Sequence, residues 1–334
     1  MKKIDIRKLR KGDIILTTST VFESALIRAV TFSDISHAML YVSNSSVMDS
    51  TGEGVQARNI DKMLYDDRCA IHAYRPIQLL PEKALDSVIA YVRSETGAPY
   101  SLPEAVASAI LSLGRGGKNQ FCSRLVARAY ASEGLRLSKN AAFTTPAELQ
   151  RSPMLKEIEG VVINLSPEEI EAENSLEDAT IGMRRVTNQL TSALRRIDGS
   201  IRTLNDVFPF LQRNPQYDNQ FAAAYLASGY LTYWKVEVER FPWRYNPIAL
   251  VQQYHTHADK DGILEECREA VRQDEEGTFA HWKINEEALS HLVEQMPLET
   301  FKLQLDLYRQ LCINHNIRIK SAKMLLHVYG GVVT

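Results

Sequence analysis

Apolar and polar positions alternate with two different periods, and the change falls near residue 165. Before it, short runs rich in β-branched and aromatic residues cover residues 13–18 (DIILTT), 36–42 (SHAMLYV), 47–50, 54–57 and 69–74 (CAIHAY). Their length and composition predict strands. Ser43-Asn44-Ser45 and Thr51-Gly52-Glu53-Gly54 are turn signals between them, so an antiparallel sheet is expected. Helical spacing appears at 81–94, where Pro81 suits a first turn, and at 101–113, closed by Gly114-Arg115-Gly116-Gly117. A third helix should start at Phe121-Cys122 and run to Glu133, with Gly134 as its stop. One more strand is predicted at 159–165. This half reads as α+β, a sheet with helices packed on it.

Ser166-Pro167-Glu168-Glu169 has the chemistry of a helix start, and strand signals cease after it. Met183, Val186, Leu190, Leu194, Ile197, Ile201, Leu204 and Phe208 recur at steps of three or four and predict one long helix. Further helices are expected at 219–240, 247–257, 262–273, 285–295 and 298–328. The domain organisation read from this is 1–165, α+β, followed by an all-α domain over 166–334.

Composition narrows the function classes. With 39 Lys plus Arg against 41 Asp plus Glu, the net charge of −2 provides no global attraction for nucleic acid, and no nucleic-acid partner is expected. Cys69, Cys122, Cys267 and Cys312 lack the spacing of a disulfide framework or a zinc cluster. The N-terminal MKKIDIRKLRKGD interrupts any apolar core of a secretory signal, and the longest apolar stretches are too short to span a bilayer. A cytoplasmic chain is the expectation.

Candidate chemistry begins with Cys122. A thiol on the first turn of a helix lies in the field that stabilises a thiolate, and its own N–H is placed to meet an oxyanion. A base is offered by His37 at the start of a predicted strand. An odd register across the 43–45 turn would set Asp49 on the same face as His37 and diagonal to it, within reach to orient the imidazole; a slip of one residue would put it on the opposite face. Taken singly, Cys122 suits a buried cysteine packing a helix start, His37 a core or edge histidine, and Asp49 a turn residue.

Six fragments in order join these residues: Gly12-Asp13-Ile14-Ile15-Leu16; Ser36 to Val42 with His37; Val47-Met48-Asp49-Ser50 followed by Gly54-Val55; Gly97-Ala98-Pro99-Tyr100; Phe121-Cys122-Ser123-Arg124-Leu125-Val126; and Thr145-Pro146-Ala147-Glu148-Leu149. In these the chain resembles the circularly permuted, NlpC-type papain-like cysteine hydrolases, in the YiiX-like branch related to lecithin:retinol acyltransferase, where the histidine strand precedes the cysteine helix. The resemblance implies a permuted papain-like domain with Cys122 as nucleophile, His37 as base and then acid, Asp49 as the orienting residue, and Tyr100 lining the oxyanion site. Many relatives have glutamate where Asp49 stands, and the shorter carboxylate reaches less far. A thioester intermediate follows, resolved by water in a hydrolase or by an amine or alcohol in an acyltransferase, with peptide, amide or lipid-ester substrates and no cofactor.

Other signals point to bland roles. His255-x-His257-x-Asp259-x-Asp261 alternates metal-capable side chains but lacks a calcium-loop spacing, and Cys312 and His315 have no partner pair, so no metal site is expected. The aromatics from Tyr230 to Tyr245 suit a helical core or a binding surface. Against the enzyme stands a second reading, a catalytically weak scaffold that binds a protein partner or itself through residues 166–334.

Overall fold

The computed structural model describes residues 1–18, 34–100, 120–175, 178 and 180–330, which fall into two compact units, Met1–Val207 and Phe208–Thr334. The helix predicted at 101–113 and its glycine loop lie outside the described residues.

The first unit is built on a six-stranded antiparallel sheet. Its strands are β2 (Ile14–Thr17), β3 (His37–Ser43), β4 (Ser46–Thr51), β5 (Gly54–Asn59), β6 (Ile71–Pro76) and β7 (Leu155–Glu157), in the spatial order β5-β4-β3-β2-β6-β7. The β3–β4 turn places Asn44 and Ser45 at φ of 50° and 58°, the left-handed pair that a two-residue hairpin requires. It sets Leu40 opposite Met48, a register that continued by one place puts Asp49 opposite Met39. The pleat then sorts the strands into two cores. Ala38, Leu40, Val42 and Met48 pack with the helices α1 (Glu82–Ser94) and α2 (Cys122–Ser132), while Met39, Tyr41, Val47 and Ile15 form a smaller cluster with Ile60 and Val161. Burying a valine or leucine side chain contributes roughly 1.5–3 kcal/mol, so the α2 residues Leu125 and Val126 hold that helix on the sheet.

Gly12 shows why the first fragment needs its glycine. Its φ is +89°, a Cβ there would fall 2.6 Å from Leu85 Cδ1 and 2.9 Å from the Tyr130 hydroxyl, and that hydroxyl donates to the Gly12 carbonyl. The next residue, Asp13, is fully buried and held by Arg75 Nε at 2.8 Å; burial raises its pKa despite that cation.

Two elements differ from the sequence expectation. The predicted strand at 159–165 is only β8 (Val162–Asn164), and it leaves the main sheet to pair with β1 (Lys2–Ile4), a strand too short to register as a hydrophobic run. The stripe from Met183 to Phe208 is not one helix. After α3 (Pro146–Gln150) and α4 (Pro167–Ser175), α5 (Thr180–Ile197) ends at Asp198-Gly199, where the Asp198 carboxylate accepts from the Ser200 N–H at 2.8 Å. Local turn chemistry overrides the period there. Both α4 and α5 belong to the first compact unit.

The second unit is helical: α6 (Val207–Arg213, whose first residue closes the first unit), α7 (Asp218–Ser228), α8 (Trp234–Arg240), α9 (Pro247–Thr256), α10 (Lys260–Glu275), α11 (Ala280–Gln295) and α12 (Glu299–Tyr329). The single helix expected at 219–240 is divided at Gly229, which takes φ of 77° as a left-handed stop. Leu250, Ile263, Leu264, Cys267, Ala322 and Leu325 form a core among α9, α10 and α12. No helix among the described residues is long and apolar enough to cross a membrane.

Candidate active site

Cys122 is the first residue of α2 and is buried, with 5% of its surface exposed. Phe121 at the N-cap provides no side-chain cap, so the amides of the first turn remain directed at the sulfur's surroundings. The two residues that follow anchor this turn. Ser123 Oγ donates to the Thr144 carbonyl at 2.7 Å, and the fully buried Arg124 donates from Nε to the Ala142 carbonyl at 2.6 Å while its guanidinium lies 4.2 Å from the centre of the Phe121 ring. The 142–145 segment is itself fixed, because Thr145 and Glu148 form a capping box on α3 with Pro146 at the first position. The Phe-Cys-Ser-Arg and Thr-Pro-Ala-Glu fragments are thus one mechanical assembly.

His37 opens β3 opposite Thr17 of β2. Its imidazole hydrogen-bonds Cys122, and its Nε2 lies 3.1 Å from Asp49 Oδ2. Asp49, with 1% of its surface exposed, therefore approaches from the neighbouring strand along the diagonal. With Nε2 engaged by the carboxylate, Nδ1 is the nitrogen left for the sulfur.

The electrostatics follow from these contacts. Burial pushes the Cys122 thiol up, but His37 and the backbone N–H groups of Ala38 and Ser123 pull it down further, and the net shift is downward. Burial acts against an imidazolium at His37, yet Asp49 and Cys122 together raise its pKa above the usual histidine range. Thiolate and imidazolium stabilise each other. Cys267 and Cys312 contrast: burial raises Cys267 to about 11, and burial with Glu286 raises Cys312.

Tyr100 is partly buried, and its backbone bridges in parallel to Gln120, whose N–H donates to the Pro99 carbonyl at 3.0 Å. This brings the Gly-x-Pro-Tyr fragment alongside the strand-like lead into Cys122. Sequence reasoning missed Arg58, which donates from Nε to Asp49 Oδ1 at 2.9 Å and from Nη2 to Thr51 Oγ1 and Glu53 Oε2 at 2.8 and 2.7 Å. The signal was present: Arg58 is two places along β5 from Gln56, the residue paired with Asp49.

Among the described residues no group of three or more His, Cys, Asp or Glu side chains is placed to hold a metal ion. In the 255–261 motif, Asp259 caps α10 by accepting from the Gly262 N–H at 2.8 Å. His315 lies 2.9 Å from Asp274 and packs on Phe279.

A cysteine at an uncapped helix start, hydrogen-bonded to a histidine on an antiparallel sheet that precedes it in the chain, defines a permuted papain-like domain. Residues 8–164 match the family described as permuted papain-like amidase enzyme, YaeF/YiiX, C92 family, in line with the permuted papain-like fold that the sequence resemblance implied. The chain is 26% identical over 181 residues to the "Probable lipoprotein peptidase YaeF" of Escherichia coli (strain K12), an alignment that covers 45% of this chain and 65% of that protein. It is also similar to a crystal structure titled as metalloprotein yiiX from Escherichia coli O157:H7, with 17% identity and a TM-score of 0.37 over 45% of this chain and 97% of that one.

Proposed function

We propose that this protein is a thiol hydrolase of amide bonds that works through an acyl-enzyme on Cys122. The observation that carries the reading is the continuous contact Cys122–His37–Asp49, with the thiol's pKa lowered and the imidazole's raised. In this reading the Cys122 thiolate attacks the acyl carbon and the oxyanion is met by the N–H groups at the start of α2, with the Tyr100 hydroxyl as a further donor. His37 gives its proton to the leaving amine as the carbon–nitrogen bond breaks, which leaves a thioester. His37 then takes a proton from water, the hydroxide displaces the thiolate, and the acid departs. Asp49 keeps the imidazole in one orientation throughout. An amine or alcohol in place of water would turn the same site into an acyltransferase.

We take residues 1–165 as the hydrolase domain and the remainder as an addition to it. All four cysteines are unpaired, which suits a reducing, cytoplasmic setting.

Iodoacetamide in limiting amount near neutral pH tests the reading. Cys122 is expected to be alkylated ahead of Cys69, Cys267 and Cys312, and His37→Ala to slow it about tenfold or more. Equal labelling of the four thiols, unchanged in His37→Ala, would remove the activated thiolate. Intact-mass analysis after incubation with a p-nitrophenyl ester should show an acyl adduct that Cys122→Ala lacks.

A further inference from the structure

The triad acid does not stand alone. Asp49 is buried on the strand between β3 and β5, and its two oxygens have different partners, His37 on Oδ2 and Arg58 on Oδ1. Arg58 is itself clamped by Thr51 and Glu53. Glu53, half exposed in the β4–β5 turn, lies 3.4 Å from Arg184 Nε. Arg184 is on α5, held by its bond to Thr180 Oγ1 at 2.8 Å and by Asp178 at 3.5 Å. A second tie runs beside the first: Gln56, paired with Asp49 and 2% exposed, donates to Asn188 Oδ1 of α5 at 2.7 Å.

The other flank of the site is tied to the same region. Gly97 has a φ of +84°, and a Cβ there would fall 2.8 Å from the Thr191 methyl of α5. Its carbonyl accepts from Arg195, which also donates to the carbonyls of Ile201 and Arg202. Gln120, two residues before Cys122, donates to Glu95 Oε2 at 2.8 Å, and Arg202 lies 3.4 Å from that same oxygen. These α5 and post-α5 residues lie beyond 164, where the family match ends.

We infer that Arg58 is a positioning residue for the His37–Asp49 pair, and that α5, an element outside the matched domain, holds Arg58 in place through Glu53 and Arg184. The inference rests on the Cys122–His37–Asp49 reading given above. A carboxylate buried from water needs a cation and fixed donors to stay ionised in one orientation. Arg58 satisfies Oδ1, so Oδ2 is left to His37. Without it the carboxylate is free to turn, and an Asp49 turned away from His37 no longer supports the imidazolium that lowers the thiol. The groups facing the pair are Cys122 from α2, Arg58 from β5, and the Tyr65 hydroxyl, which bonds Thr17 and feels the Asp49 charge.

The experiment is the pH profile of Cys122 alkylation by iodoacetamide in the full chain, for the wild type, Arg58→Ala, Arg58→Lys, Arg184→Gln and Asp49→Asn, with folding followed by circular dichroism. Arg58→Ala should move the acid limb up by about one unit, an approximately tenfold slower rate at a pH below it. Arg184→Gln should move it in the same direction by less, and Arg58→Lys should restore part of the shift because it returns the charge without the fork. Arg184 is on α5 and not in the sheet, so its variant carries the test if Arg58→Ala fails to fold. If Asp49→Asn moves the limb while Arg184→Gln and the Arg58 variants leave it in place, the inference is overturned and the site reading stands. If neither Asp49→Asn nor His37→Ala has any effect, the site reading itself is lost.

Discussion

At the scale of single residues, the proposed chemistry rests on two opposed shifts. The lowered thiol means that the thiolate forms as pH rises through a value below the ordinary cysteine range of about 8.5. The raised imidazole means that the acid needed by the leaving amine is lost only as pH rises through a value above the ordinary histidine range of about 6.5. Hydrolysis of an amide should therefore follow a bell whose acid limb lies below the ordinary cysteine range and whose alkaline limb lies above the ordinary histidine range, measurable as kcat/KM against pH; a single alkaline limb near 8.5 would contradict it. Stability has its own residue-scale test. Gly12→Ala forces a left-handed alanine against Leu85 and Tyr130 and should cost about 1–3 kcal/mol, read as a drop in the urea midpoint. Legibility differs among these residues for a physical reason. Cys122 and His37 are rare residue types at element starts, which a sequence displays. Arg58 is one of 39 basic residues on a chain with many exposed ones, and only the register of β5 beside Asp49 distinguishes it.

At the scale of elements, the β3–β4 hairpin decides whether the acid meets the histidine. The left-handed Asn44-Ser45 turn fixes the register, and a shift by one residue would send Asp49 to the opposite face. Ser45→Gly should stabilise the chain by about 1 kcal/mol by removing the left-handed penalty, with Cys122 reactivity unchanged. Deleting Ser45 should abolish selective Cys122 alkylation even in molecules that keep their circular dichroism spectrum. The alternation of 36–42 and the apolar pair Val47-Met48 after a turn signal made this hairpin readable, since β3 bears a full apolar face. The 183–208 stripe was misleading because hydrophobic period reports burial, not continuity. Asp198 and Gly199 end the helix while the apolar residues beyond continue to be buried, Ile201 among them. β1 was illegible, as three residues give no period to detect.

At the scale of the whole molecule, the division at 207/208 assigns α5 to the same unit as the sheet. A chain ending at Val207 should keep Cys122 ahead of the other thiols in alkylation. One ending at Leu165 loses Arg184, Asn188, Arg195 and Arg202 and should show that preference reduced about tenfold or more, checked by the same labelling and by thermal melting. Equal behaviour of the two truncations would make α5 a passenger.

The β1–β8 pair has a further meaning for the order of the parts. Lys2 faces Asn164 across that ladder, and the Leu165 N–H donates to the Met1 carbonyl at 3.0 Å, so the backbone from 1 to 165 is a nearly closed ring. A ring has no first residue. Sealed at that seam and opened instead in the exposed 77–81 segment, where Ile77 and Leu79 face solvent, the same ring would read with Cys122 ahead of His37 while each kept its neighbours in space. The sequence of the proposed nucleophile and base along such a chain is then a matter of where the ring is cut, and their juxtaposition belongs to the ring.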